Sequence, residues 1–186
     1  MTYKEELINS IEADFVFAKE PINRFNTNEA NVDKNNFNKI EKLNDLKKKL
    51  NSIQNCKLRE NAKNLILGDG NINSKIMIIG ETPGLEEENK GKTFQGEVGS
   101  LLKRMLIAIN IKKENIYSSY AINFRTPEDR KPTSQEIKKY SVFLKEHITI
   151  IDPKIIILFG STAMEAFTSS KLKISDERGK WKEIIL

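Results

Sequence analysis

Residues 154–160 read KIIILFG and residues 75–80 read KIMIIG. Each is a short β-branched run that ends in glycine, the pattern of a buried strand. Working outward, NIYSSYAINF (115–124) predicts a further strand and WKEIIL (181–186) another. Between them the apolar spacing turns helical. Residues 97–109 carry Val98, Leu101, Leu102, Met105, Leu106 and Ile109, an amphipathic helix. Thr133 to Ile150 is a second, with Thr133 and Glu136 as its capping box and Ile137, Tyr140, Leu144 and Ile148 as its apolar stripe. Ser161 opens a third, to about residue 169. Strands alternating with helices predict a three-layer α/β/α fold around a central, mostly parallel, four-stranded sheet.

Upstream, residues 4–18 read as a short helix and 39–52 as another (Ile40, Leu43, Leu46, Leu50). The Asn-rich, aliphatic-poor stretch 19–38 reads as a loop or linker. The run Lys47–Lys48–Lys49 reads as a solvated face, with a nucleic-acid contact as the alternative.

Composition narrows the class. The 186 residues are 38% apolar and 31% charged, with 31 Lys+Arg against 26 Asp+Glu, a net charge of +5. That balance permits a polyanionic partner without requiring one. The single cysteine, Cys56, excludes a disulfide framework and a four-cysteine metal site within the chain. No apolar run approaches the ~20 residues of a membrane span. The first 15 residues lack a signal-peptide core, so the expected compartment is the cytoplasm.

In an open parallel sheet the ligand crevice lies beyond the carboxyl ends of the strands. Three segments fall there: GETPGLEEENKGKTFQGEVGSLL after the 75–80 run, FRTPEDRKPTSQEI after the 115–124 run, and GSTA after the 154–160 run. Gly80, Pro83, Gly84, Gly91, Gly96 and Gly99 punctuate the first, so its backbone can approach a ligand closely. The N–H groups opening the helix near Val98 can bind an anion. Glu81 stands one residue past the strand. A carboxylate there either stabilises a developing cation and orients a water, or caps a nearby helix. No GxxxxGK[ST], GxGxxG or GxSxG motif is present, which argues against a nucleotide hydrolase or a serine-nucleophile hydrolase.

Taken in order, GETPG, GKTFQGEVGSLLKRML, FRTPEDRKPTSQEI and IDPKIIILFGSTA resemble the family 4 uracil-DNA glycosylases of bacteria, as does the upstream CKLRENAKNLILGDGN. The resemblance covers about residues 50–180. It implies residues 51–186 as a glycosylase-like domain, C-terminally incomplete, behind an N-terminal portion, 1–50, of helices and linker. It also implies an enzyme that flips deoxyuridine from DNA and hydrolyses its N-glycosidic bond, with uracil-containing DNA as partner and a monomeric state. The transition state resembles an oxocarbenium ion leaving a uracil anion, so negative charge near C1′ and donors near the base are required. Glu81 matches the acidic residue that supplies the charge and positions the water. Glu87 falls in the acidic pair that follows, either supporting the water or simply solvated. Phe94 matches the aromatic that stacks on the flipped base; its alternative is a core phenylalanine. Backbone N–H groups from Gly80 and Glu81 to Thr82, and at Phe94, would read the uracil carbonyls. Arg125, Arg130, Gly160 and Ser161 would lie near DNA phosphates, or be ordinary loop residues.

The chain also departs from that family. The resemblance implies a [4Fe–4S] cluster on four cysteines, but Cys56 alone remains and the other positions read Ile53, Phe124 and Tyr140. The expectation is therefore no cofactor, with packed core in its place. The amide that reads uracil falls on Tyr120, with Asn123 the nearest amide. RPPGNR has become RTPEDR, its acids weakening any phosphate contact. The family's later HP[SA]-x-x-x-R motif does not occur within these residues. His147, the one histidine, reads as structural or surface. These departures leave a second expectation beside the enzyme, a catalytically weak or inactive remnant of the fold that at most binds DNA.

Overall fold

The computed structural model describes residues 27–54, 56–169 and 172–184, with side chains from Asn36 onward. The chain divides into two compact units, Met1–Asn35 and Asn36–Leu186. Of the first, only the residues from Thr27 are described, and they are helical; the helix expected over 4–18 lies outside the described residues.

Four strands form one sheet: β1 (Gly68–Gly70), β2 (Ile76–Gly80), β3 (Tyr117–Tyr120) and β4 (Ile155–Leu158), in the order β1-β3-β2-β4. β2 runs parallel to both β3 and β4, and β1 is antiparallel to β3. The helices are α1 (Thr27–Asn51), α2 (Lys57–Asn61), α3 (Leu85–Lys90), α4 (Gly96–Ala108), α5 (Ser134–Ile151), α6 (Ser161–Thr168) and α7 (Ile174–Glu177). This is the expected α/β architecture. Alternation along β2 divides the core: Met77 and Ile79 face a large cluster with Leu43, Leu46 and Leu50 of α1, Ile137, Tyr140, Leu144 and Ile148 of α5, and Ala163 and Phe167 of α6. Ile78 faces the opposite cluster, with Leu102 and Leu106 of α4.

Three expectations need correction. Trp181–Ile184 forms no strand, and Trp181 is exposed. The fourth strand is instead β1, whose GDG sequence carries no β-forming residue. Side chains of β3 hold it: Ser119 Oγ donates to the Leu67 carbonyl at 2.6 Å and Ser118 Oγ to the Asp69 carbonyl at 3.1 Å. The stretch expected as a loop to residue 38 is helical from Thr27. Asn is a poor helix former; from Asn36 onward, contacts from far along the chain secure the helix. Lys39 Nζ donates to the Ile151 carbonyl at 2.7 Å, and Asn73 Nδ2 donates to Asn36 Oδ1. Finally, the strand expected over 115–124 is confined to Tyr117–Tyr120, preceded by a 3-10 turn over Lys113–Asn115. The α5 capping box is present as read, with Thr133 Oγ1 accepting from Glu136 N and Glu136 Oε2 accepting from Thr133 N at 2.7 Å.

Candidate active site

The register brings three strand ends to one edge. Gly80 pairs with Tyr120, and Ile79 pairs with Leu158. Phe159 N then donates to the Ile79 carbonyl at 2.8 Å, which sets Gly160 beside Glu81. The Glu81 carboxylate crosses the gap to α6: Oε1 accepts from Thr162 N at 2.8 Å and from Ser161 Oγ at 3.3 Å. Gly160 has φ +97°, and a Cβ there would overlap the Glu81 carboxyl carbon. The approach thus requires glycine twice, for conformation and for space. Glu81 caps a helix N-terminus and lies just past the carboxyl end of β2, half-buried, at the same time.

Phe94 arrives from the other side. Its φ is +47°, an uncommon conformation for a non-glycine residue, and several contacts secure it. Phe94 N donates to Tyr120 Oη at 2.9 Å. Gln95 N donates to Glu87 Oε1 at 2.8 Å, and Gly84 N donates to Glu87 Oε2 at 3.0 Å. Glu87 is therefore buried and ties the start of α3 to the Phe94 turn. A Cβ on Gly80 would come within 3.0 Å of Phe94 Cζ. Glu81 and Phe94 accordingly flank the same glycine at the carboxyl end of β2, both half-buried.

The remaining candidates are placed as follows. Thr82 follows Glu81, half-buried, in the loop leading to α3. Asn123 is buried, its Nδ2 donating to the Ile66 and Leu67 carbonyls at 3.0 and 3.2 Å. Arg125 pairs with Asp129 at 2.7 Å and with buried Glu88 at 3.4 Å. Arg130 pairs with Glu136 at 2.7 Å, which with the Thr133 hydrogen bonds lowers the Glu136 carboxyl to about 2. Gly160 and Ser161 lie beside Glu81. Lys131, which sequence reasoning passed over, reaches Ser161 Oγ at 3.4 Å and is exposed. Its only signal was position, between the loop and the Thr133 cap. Lys47, Lys48 and Lys49 are exposed, and the last two pair with Asp45 and Glu146.

The four positions aligned with cluster ligands come together. Ile53, Cys56, Phe124 and Tyr140 share the larger core cluster. Cys56 Sγ lies 3.0 Å from Tyr140 Oη, and the Phe124 and Tyr140 rings meet edge to face at 6.2 Å. A [4Fe–4S] cluster needs four thiolates; one thiol, one aliphatic side chain and two rings do not fit it. Among the described residues no group of three or more His, Cys, Asp or Glu side chains could hold a metal ion.

The family model described as the uracil DNA glycosylase superfamily matches residues 67–185. The chain belongs to the uracil DNA glycosylase superfamily. Within it, a type-4 uracil-DNA glycosylase of Archaeoglobus fulgidus is 32% identical over 149 residues, covering 78% of this chain and 75% of that protein. One from Thermotoga maritima is 36% identical over 125 residues, covering 67% of this chain and 65% of that protein. A DNA polymerase of Bacillus phage SP01 is 36% identical over 118 residues, 63% of this chain but only 13% of that protein. The superfamily match spans β1 to β4 and so contains Glu81, Phe94 and the Gly160–Ser161 turn.

Proposed function

We propose that this chain is a uracil-DNA glycosylase that hydrolyses the N-glycosidic bond of deoxyuridine in DNA, acting in base-excision repair as a cytoplasmic monomer. One observation carries the reading: Glu81 and Phe94 flank Gly80 at the carboxyl end of β2 in a superfamily fold. Phe94 supplies a stacking face for the flipped base, worth roughly 1–3 kcal/mol. Glu81 supplies negative charge for the oxocarbenium-like sugar and orients the attacking water. Gly80 and Thr82 line the base through their backbone, and Glu87 acts as a positioning residue for the Phe94 turn. Asn123 acts from behind, holding the end of β3. Gly160, Ser161 and Lys131 face the phosphates, while Arg125 and Arg130 contribute through the shape of their loop. The chemistry belongs to residues 51–186, with α1 supplying Leu43, Leu46 and Leu50 to their core. No described helix is long and apolar enough to cross a membrane.

The reaction runs without a cluster, because aromatic packing has replaced the ligand set. Purified protein is expected to hold no stoichiometric iron, and about four irons per chain by elemental analysis would overturn this. The activity test is a uracil-containing oligonucleotide, which should acquire alkali-labile abasic sites with the native chain and none with Glu81→Gln. A second reading, a catalytically weak or inactive remnant, is favoured by the commitment of Glu81 Oε1 to Thr162 N and Ser161 Oγ. Absence of cleavage by well-folded native protein would select it.

A further inference from the structure

In the proposed reaction two groups of Phe94 serve the base, its ring face and its backbone N–H. Tyr120 already engages both. The two ring centroids are 5.2 Å apart with planes 33° from parallel. The Tyr120 hydroxyl accepts the Phe94 N–H at 2.9 Å and faces the Glu87 carboxylate. Tyr120 is buried, whereas Phe94 remains half-exposed. Room for the tyrosine ring comes from Gly80, its partner in the parallel register, where a Cβ would lie 2.8 Å from Tyr120 Cδ1. A six-membered ring laid against Phe94, with an oxygen at its edge taking the Phe94 amide proton, presents the contacts that a flipped pyrimidine would present. Resting on the Phe94 assignment, we propose that Tyr120 is an internal occupant of the base site, a plug that an incoming uracil must displace.

The backbone of Tyr120 is fixed in β3, so displacement means rotation of its buried side chain away from Phe94 together with movement of its neighbours. The cost falls on the base. It must replace a tilted ring contact and a hydrogen bond to Phe94 that are intramolecular and therefore already in place. The native chain should thus gain little from a uracil over a strand that lacks the base, and removal of the tyrosine ring should create that gain.

The test uses the full chain as wild type, Tyr120→Ala and Tyr120→Asn, with folding verified by circular dichroism and thermal unfolding. The probe is a single-stranded oligonucleotide carrying one 2′-fluoro-2′-deoxyuridine, read by fluorescence anisotropy against the same strand carrying an abasic tetrahydrofuran residue at that position. Wild type is expected to bind the two almost equally. Each variant should favour the uracil strand by about tenfold, the worth of one base stacked on an aromatic ring. Tyr120→Phe, which keeps the packing and loses the bond to Phe94 N–H, should gain about fivefold or less and covers the case in which the smaller residues unfold the chain. The proposal is overturned if wild type already discriminates and the variants lose it, since Tyr120 would then back Phe94 from behind. It is equally overturned if folded variants gain nothing. Uracil release, measured in parallel on a deoxyuridine strand, separates the two readings. Variants that gain base binding but release no uracil leave the plug standing and remove the glycosylase. Wild-type release unchanged in the variants, with no gain in binding, removes the plug and leaves the glycosylase.

Discussion

Gly160 shows how one residue governs the acidic group of the crevice. With φ at +97° and the Glu81 side chain occupying the place of its missing Cβ, Gly160→Ala meets both backbone strain and a clash. It is expected to lose about 1–3 kcal/mol of stability and to displace Glu81 from Thr162 N. Gly179 is the control: its φ is +77°, but nothing lies within 4 Å of where a Cβ would sit. Gly179→Ala should cost only the conformational part, about 1 kcal/mol. Urea unfolding of the two variants checks the difference, and equal losses would show that the contact with Glu81 contributes nothing. Of the two readings open for Glu81 in the sequence, its contacts show the cap: the carboxylate accepts from Thr162 N and Ser161 Oγ at the start of α6. Spacing along the chain could not reveal this, since the capped N–H lies 81 residues away.

At the scale of elements, the acidic run Glu86–Glu88 is not uniformly solvated. Glu86 pairs with Lys90 on the exposed side of α3, whereas Glu87 and Glu88 are buried. Glu88 Oε1 accepts from Lys63 N at 2.8 Å, and Oε2 meets Arg125, which also grips Asp129. Arg125 therefore ties the loop after β3 to α3 and to the chain entering β1. Removing it leaves a buried carboxylate with a single partner. Arg125→Gln is expected to cost about 1–3 kcal/mol of stability and to leave the salt dependence of DNA binding unchanged. Urea unfolding and a salt titration of binding measure the two; a shallower salt slope at unchanged stability would instead mark Arg125 as a phosphate contact. The α5 cap and stripe were legible in sequence because both lie within a few residues of each other. β1 was not, because its hydrogen bonds come from Ser118, Ser119 and Asn123, about 50 residues away.

At the scale of the Asn36–Leu186 unit, buried His147 fastens α5 to the sheet. Ser119 Oγ donates to the Leu67 carbonyl, so His147 Nδ1–H donates to Ser119 Oγ at 3.3 Å and Nε2 accepts the Tyr117 hydroxyl proton at 3.0 Å. The imidazole is thus held neutral, and burial lowers its pKa to about 4 from 6.5. Burial likewise pushes the Tyr117 phenol up, with a smaller contribution from Asp69. The unfolded chain takes up a proton near pH 6.5 that the folded chain refuses until about pH 4. Stability is therefore full above pH 6.5 and falls as pH drops through this window, by up to about 1.4 kcal/mol per unit. Urea midpoints at pH 7 and pH 5 should show the loss, and His147→Gln should flatten it; an unchanged slope would place the titration elsewhere.

Strand runs, helix stripes and caps, with the alternation that makes a parallel α/β sheet, are local patterns, so they could be read from the order of residues alone, as could the crevice segments carrying Glu81 and Phe94. Tertiary structure decided the rest: that GDG completes the sheet, that Glu87 and Glu88 are buried, and that Tyr120 lies against Phe94. Each depends on which groups the folded chain, through strand register and loop contacts, sets side by side. Burial and hydrogen bonding between residues tens of positions apart outweigh the weak intrinsic preferences of Asn, Gly and Asp.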